Sequence, residues 1–283
     1  MTHVMACIDG SAFSTAVCDY AAWATQRLAA PLTFLHVLDR AQYPRPGDLS
    51  GNIGLGSREA LLEELASLDE RRSKLAREQG QLLLEAARER ASAAGVADAG
   101  ARQRHGNLVE TLRELEGDIR LLVIGKRGDS SLKPSQLIGS QLENAIRAMQ
   151  RPILVTPETF KAPQRAMLAF DGSATAFKGV EMLANSPLLR GLPIHLVMVG
   201  PDIASSREPL EQAASRLGEA GYQVHTAILA GDIEPALHAY QAEHGIDLLA
   251  MGAYGHSRIR EFLVGSTTTS MLRSTPTPLL MLR

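Results

Sequence analysis

The sequence predicts an α/β protein built from two tandem copies of one doubly wound layer, each a parallel sheet covered by helices on both faces. Three observations lead there. The chain of 283 residues is 45% apolar and 21% charged, a composition that fits one medium domain or a close pair and excludes a disordered or fibrous chain. Short apolar runs of strand length alternate with stretches of helical spacing. Finally, the chain repeats itself.

The repeat shows in four places. Met5–Ala12 (MACIDGSA) returns as Met167–Ala174 (MLAFDGSA), 162 positions later. Gly106–Glu110 answers Gly231–Glu234, Leu121–Gly128 (LLVIGKRG) answers Leu248–Gly255 (LLAMGAYG), and Arg151–Thr156 answers Thr277–Leu282, at offsets of 125 to 127. The fall in offset assigns the first copy about 36 extra residues, all between Asp39 and Gly100. The prolines of Pro157–Pro163 mark the boundary, giving domains 1–157 and 164–283.

Taken in order, the first copy reads as strands near 3–9, 32–38, 101–105, 120–125 and 152–156. The second repeats them near 165–171, 192–199, 223–229, 246–252 and 278–282. Nearly continuous apolar strands joined by helices indicate parallel sheets buried on both faces. The insertion at about 39–100 opens with a Gly- and Pro-rich loop, Asp39–Gly56, and turns helical from Ser57, the expected N-cap, to about Ala94. Leu61, Leu68, Leu75 and Leu82 stand seven apart there, with Leu65, Arg72, Gln79 and Ala86 between them. Two readings stay open: a long amphipathic helix laid on its own domain, or a helix that pairs with another subunit.

Composition excludes several functions. With 29 Lys and Arg against 31 Asp and Glu, the net charge of −2 argues against nucleic acid as a main partner. No run reaches the roughly 18 apolar residues of a membrane helix, and Asp9 interrupts the start before a signal-type apolar region develops. Cys7 and Cys18, in apolar surroundings, read as reduced structural thiols and a cytoplasmic location.

The segment richest in chemistry follows the strand that ends near Met251. There Gly252, Gly255 and Gly265 lie between a strand end and a helix start, with Ser266, Thr267 and Thr268 as hydroxyl donors and Arg258 and Arg260 nearby. Helix starts expose unpaired N–H groups and the positive end of the macrodipole, so the segment suits an anion. Ordinary turn and capping chemistry explains the same residues. No Gly-Lys-Ser/Thr is present, so this is not a Walker loop. Asp171 and Asp9 each end the first strand of their copy, placed either to accept hydrogen bonds from a ligand in the crevice or to cap the next helix.

Together, Asp-Gly-Ser after the first strand and Gly-x2-Gly-x9-Gly-Ser in the second copy resemble the universal stress protein family, over essentially the whole chain. The resemblance implies two tandem five-stranded parallel sheets of order 3-2-1-4-5, the adenine nucleotide alpha hydrolase-like fold, with ATP between the first strand's Asp and the glycine loop. It assigns Asp171 to the nucleoside, main-chain groups near Met198 to adenine, and Tyr254 to the loop beside the ribose or phosphates. Gly252, Gly255, Gly265, Ser266, Thr267 and Thr268 fall to the phosphates. In the first copy the counterparts are Asp9, Val37, Gly125, Gly128, Gly139 and Ser140, with Lys126 and Arg127 favouring an anion. That copy departs from the pattern: ten residues separate Gly128 from Gly139 instead of nine, and Leu142 stands where the second copy has Thr268.

The resulting expectation is a stress-response regulator that binds ATP in its second domain and is not a fast enzyme. The resemblance suggests that the last strands of the copies pair, so that one chain imitates a dimer. A further homodimer of whole chains would use the long helix or the 39–56 loop. One alternative is a slow magnesium-dependent ATPase or nucleotidyl-transfer enzyme, for which only His256 and Glu261 lie near the loop. The other is a nucleotide-free interaction module working through the insertion. No residue spacing points to a metal site or to a Ser-His-Asp or Cys-His constellation.

Overall fold

A computed structural model describes residues 1–38, 55–128, 140–252 and 266–283. The first copy runs β1 (His3–Cys7), α1 (Ser14–Leu28), β2 (Leu32–Leu38), α2 (Leu55–Ala93), β3 (Gly100–His105), α3 (Leu108–Leu115), β4 (Ile119–Gly125), α4 (Ser140–Ala148) and β5 (Ile153–Thr156). The second runs β6 (Ala166–Ala169), α5 (Ala174–Ala184), β7 (Ile194–Val199), α6 (Ala204–Glu219), β8 (Val224–Leu229), α7 (Ile233–His244), β9 (Leu248–Gly252), α8 (Ser266–Ser274) and β10 (Leu279–Leu282).

All ten strands form one sheet, ordered β3-β2-β1-β4-β5-β10-β9-β6-β7-β8. Each half has the order 3-2-1-4-5. Every pairing between described strands is parallel but one: β10 runs antiparallel to β5, with Leu279 opposite Val155 and Met281 opposite Ile153. The two apolar terminal strands thus cover each other's edges. As a result the carboxyl ends of the two half-sheets point in opposite directions.

Side chains alternate across the sheet with the period of two that strands impose. Val4 and Ala6, Leu121 and Val123, and Leu280 and Leu282 face a core shared with α1, α2, α5 and α6. Met5, Leu122, Ile124, Leu279 and Met281 face the opposite core, with α3, α4, α7 and α8. Near-continuous apolar strands are what such double burial needs.

The insertion departs from expectation in two details. Helix α2 begins at Leu55, so Ser57 lies inside its first turn and is not its cap. The loop reading for residues 39–54 lies outside the described residues. Among the described residues, the side chains that bury α2 against its own domain are Ala76, Leu84, Ala87 and Ala91, not Leu68, Leu75 or Leu82. Gly80 belongs to the same face: a Cβ there would collide with Gln103 Nε2 and lie 2.6 Å from His36 Cδ2, so glycine lets the helix lie this close to β2 and β3.

A histidine sits beneath the second half-sheet. His195 is buried on β7, its Nδ1 paired with the Tyr240 hydroxyl at 2.9 Å, and its ring lies 4.9 Å from that of His225 and 5.3 Å from that of His244. Burial first, then the neighbouring His225, His244 and Arg165, holds its pKa down from 6.5 to about 4. In the unfolded chain the same ring takes up its proton near pH 6.5, so the unfolded state binds more protons as the pH falls. The contribution of His195 is therefore intact above pH 6.5 and is lost as the pH drops toward 4. A His195→Gln variant, followed by thermal melts across that window, should show a shallower loss of stability with acid than the unaltered chain; equal slopes would show that His195 does not titrate this way.

Candidate functional site

Both copies leave their first strand through the same turn. Gly10 and Gly172 have φ of +81° and +73°, a left-handed conformation that a side chain disfavours, which explains why glycine follows the aspartate in each copy. Asp9 Oδ1 accepts hydrogen bonds from the Ser11 N–H at 3.0 Å and the Ser14 hydroxyl at 3.2 Å. Asp171 Oδ1 accepts from the Ser173 N–H at 2.9 Å. The strand β6 stops at Ala169, so Asp171 belongs to the turn and does not end the strand. Nor is it the helix cap: Ser173 caps α5, its Oγ accepting from the Ala176 N–H at 3.1 Å.

In the first copy the turn after β4 closes onto this aspartate. A Cβ on Gly128 would lie 2.6 Å from Asp9 Oδ2, and one on Gly125 would lie 2.8 Å from Phe13 Cβ. Glycine at both positions lets carboxylate, aromatic ring and backbone approach so closely. Asp9, Val37, Gly125 and Gly128 line one cavity of about 100 Å³, together with Cys7, Ser11, Phe13, Arg127, Gln141 and Leu142. The structure therefore brings together four of the six residues expected for the first copy. Gly139 lies outside the described residues, and Ser140 opens α4.

The chemistry of this cavity is mixed. Ser11 Oγ is buried with no hydrogen-bond partner among the described residues, leaving a hydroxyl for a polar ligand atom. Burial, and then the Asp9 carboxylate, pushes the Cys7 thiol up to about 12, so Cys7 is a neutral wall and not a nucleophile. Phe13 and the buried Leu142 make the end near α4 apolar. Phe13, Ser11 and Gln141 were not singled out from sequence. Phe13 is the counterpart of Thr175 at the repeat offset, so comparison of the two copies carried the signal.

The second copy keeps the same frame with smaller, more polar side chains. Among the described residues, a Cβ on Gly252, at the end of β9, would meet nothing nearer than Thr175 Cγ2 at 3.8 Å. One on Gly172 would meet Met198 Cε and Pro209 at 3.8 Å, which places Met198 beside the Asp171 turn. Register pairs Val4 with Leu32 and Ala166 with Ile194, so the first-copy counterpart of Met198 is His36, and that of Val199 is Val37. Ser266 and Thr267 begin α8, and Thr268, in the same first turn, is buried. The first N–H groups of any helix lack internal partners, and they point toward the end of the helix that follows β9. Tyr254, Gly255 and Gly265, like His256 and Glu261, lie outside the described residues.

One expected anion-binding residue does something else. Lys126 does not turn toward its own turn but donates from Nζ to the carbonyls of Arg273 at 2.8 Å and Thr275 at 3.0 Å. It therefore caps the C-terminus of α8, where carbonyls are unpaired and a cation is favoured. The second copy reciprocates: the Arg283 guanidinium donates to the Ile146 carbonyl near the end of α4. Among the described residues, no group of three His, Cys, Asp or Glu side chains is placed to hold a metal, and no helix is long and apolar enough to cross a membrane.

Comparison with known proteins bears on this geometry. A family model described as the universal stress protein family matches residues 1–157 and 204–283. The chain is 37% identical, over 100% of both chains, to "Universal stress protein Slr1230" of Synechocystis sp. (strain ATCC 27184 / PCC 6803 / Kazusa). A universal stress protein crystal structure from Archaeoglobus fulgidus DSM 4304 superposes with a TM-score of 0.73 at 20% identity, covering 99% of this chain and 98% of that one. A structure described as a putative universal stress protein from Pseudomonas aeruginosa UCBPP-PA14 gives 0.62 at 14%, covering 100% and 93%. These likenesses extend over both copies and the sheet that joins them.

The Lys126 cap is testable apart from any ligand. Lys126→Met removes two charge-assisted hydrogen bonds to carbonyls at the end of α8 and should cost about 1–3 kcal/mol in denaturant unfolding. A change below a few tenths would show that water replaces the ammonium without loss.

Proposed function

The chain belongs to the universal stress protein family, and from that premise we propose that it is a cytoplasmic stress-response regulator that binds ATP in its second copy. In this reading 1–157 and 164–283 are its two domains. The observation that carries the proposal is a difference between the two crevices. Where the first copy sets Phe13 against Gly125 and buries Leu142 in the first turn of α4, the second has Thr175, whose Cγ2 would lie 3.8 Å from a Cβ on Gly252, and Thr268 in the first turn of α8. Thr175 and Thr268 carry hydroxyls at the two positions where Phe13 and Leu142 carry only carbon, although Thr175 turns its methyl toward Gly252.

Each residue then has a physical task. The amides that begin α8, with the hydroxyls of Ser266, Thr267 and Thr268, receive the phosphates, because a helix N-terminus supplies both donors and a favourable field. Gly252, Gly255 and Gly265 let main chain come close to phosphate oxygens. Asp171, braced by the Ser173 N–H, meets ribose hydroxyls. Met198 pairs with Ile228 and turns its main-chain groups to β8, so near Met198 it is those of Val199, facing the β6 side past the last ladder pair of Ala169 with Val197, that would meet adenine. Tyr254 lies by the ribose and phosphates. A magnesium ion would accompany the triphosphate and neutralise its charge. Binding with slow or no turnover fits a regulator whose output is occupancy.

The test compares the two crevices by ligand-induced thermal shift. ATP at about 100 times its Kd stabilises by about 2.7 kcal/mol, a rise in Tm of roughly 5–10 °C for a chain of this size. Replacing Thr268 by Leu, as in the first copy, should abolish most of that rise, and Asp9→Ala should leave it unchanged. No shift in the unaltered chain, or a shift lost with Asp9→Ala and kept with Thr268→Leu, would overturn the assignment.

A further inference from the structure

Helix α2 is 39 residues long, about 58 Å, whereas its counterpart between the second and third strands of the other copy, α6, has 16. The surplus lies on the N-terminal side. From residue 63 to residue 75 no side chain is buried, and only beyond Ala76 does the helix settle onto β2, β3 and α1. A helical stretch with no fully buried side chain is marginal by itself, because most helical stability in proteins comes from packing an apolar face. The arm nevertheless carries such a face. Leu68, Leu75 and Leu82 are 42%, 64% and 66% exposed, and their seven-residue spacing aligns them in one stripe. That stripe lies roughly a third of a turn round the helix from the face that Ala76, Gly80, Leu84 and Ala87 bury.

The charges beside the stripe choose the occupant. Arg71 and Arg72 precede Leu75, and Glu78 follows it. In an antiparallel pair with a two-fold axis at Leu75, Leu75 meets itself and Leu68 meets Leu82. On one flank Arg71 then faces Glu78 twice; on the other Arg72 faces Gln79, and Leu65 meets Ala86. Glu64 meets Glu85 only at the rims, where both are exposed and solvent screens them. A parallel pair would instead stack Arg71 and Arg72 of both helices at one level, four guanidiniums together, an arrangement that like-charge repulsion disfavours.

We propose that the exposed leucine stripe of α2 docks on the same stripe of a second copy of this chain, antiparallel about Leu75, so that each arm lies along its partner's helix. The interface is self-complementary, as a two-fold pairing requires. It involves neither crevice, and so stands or falls independently of the nucleotide assignment.

Sedimentation equilibrium of the full chain at micromolar concentration should report twice the 30.4 kDa chain mass. Leu75→Glu should convert the dimer to a monomer with unchanged circular dichroism and Tm, since Leu75 makes no buried contact within its own chain. Glu78→Arg should also weaken the dimer, and adding Arg71→Glu should restore it. Leu75→Cys should cross-link to itself under mild oxidation, while the native Cys7 and Cys18, both with pKa held near 12 chiefly by burial, stay reduced. A monomeric unaltered chain overturns the proposal, as does a dimer insensitive to Leu75→Glu. A Leu75→Cys dimer that forms no cross-link overturns the antiparallel register.

Discussion

Leu279 with Val155, Leu280 with Leu154 and Met281 with Ile153 form the one antiparallel ladder in an otherwise parallel sheet, and the rest of the molecule is arranged around it. Each copy alone would end in a short apolar edge strand. Joined, the two edges satisfy each other's backbone groups and continue both cores across the seam. Because the joint is antiparallel, the carboxyl edge of each half-sheet lies beside the amino edge of the other. The turn after β4 is thereby brought to the end of α8, where Lys126 meets it, and the end of β10 is brought to the end of α4, where Arg283 meets it. The two crossings start from different positions in their copies, but each sets a cation on a carbonyl near the end of a helix of the other copy.

Duplication within one chain also frees the copies to differ. Both retain the glycine after the aspartate, where the left-handed backbone disfavours a side chain, and a glycine at the end of the fourth strand, which Phe13 crowds in the first copy. They diverge in side chains near the strand ends: Phe13 against Thr175, and Leu142 against Thr268. Over the second strand, His36 stands in place of Met198 and is held by the Ile8 carbonyl at 2.9 Å beneath Gly80 of α2. Membership of the universal stress protein family accounts for the shared frame. In the proposed reading, those side-chain differences separate a triphosphate crevice in the second copy from a more apolar one in the first.

The architecture was legible in the sequence because buried strands must be continuously apolar and because the repeat offset locates every strand twice. Runs such as Leu121–Gly125 and Leu248–Gly252 differ from their observed bounds by two residues at most. The direction in which long side chains point was not legible. Lys126 reads as an anion ligand from its position in the glycine turn, yet the antiparallel seam, which depends on contacts between distant segments, supplies it with carbonyls instead. The leucines of α2 posed the same difficulty: their periodicity marks a face without saying what the face meets. Four first-copy residues gather as expected. Phe13 was missed because an aromatic in an Asp-Gly-Ser turn has meaning only beside Thr175.

The claim that most needs a direct reading is that the two crevices differ in occupancy. Amide hydrogen exchange of the full chain with and without ATP reads both at once, because backbone N–H groups that receive phosphates exchange more slowly. The account predicts slowed exchange at residue 252 and in the first turn of α8, with residues 125–128 and the first turn of α4 unchanged. Protection confined to the first copy, or absent from both, would contradict it.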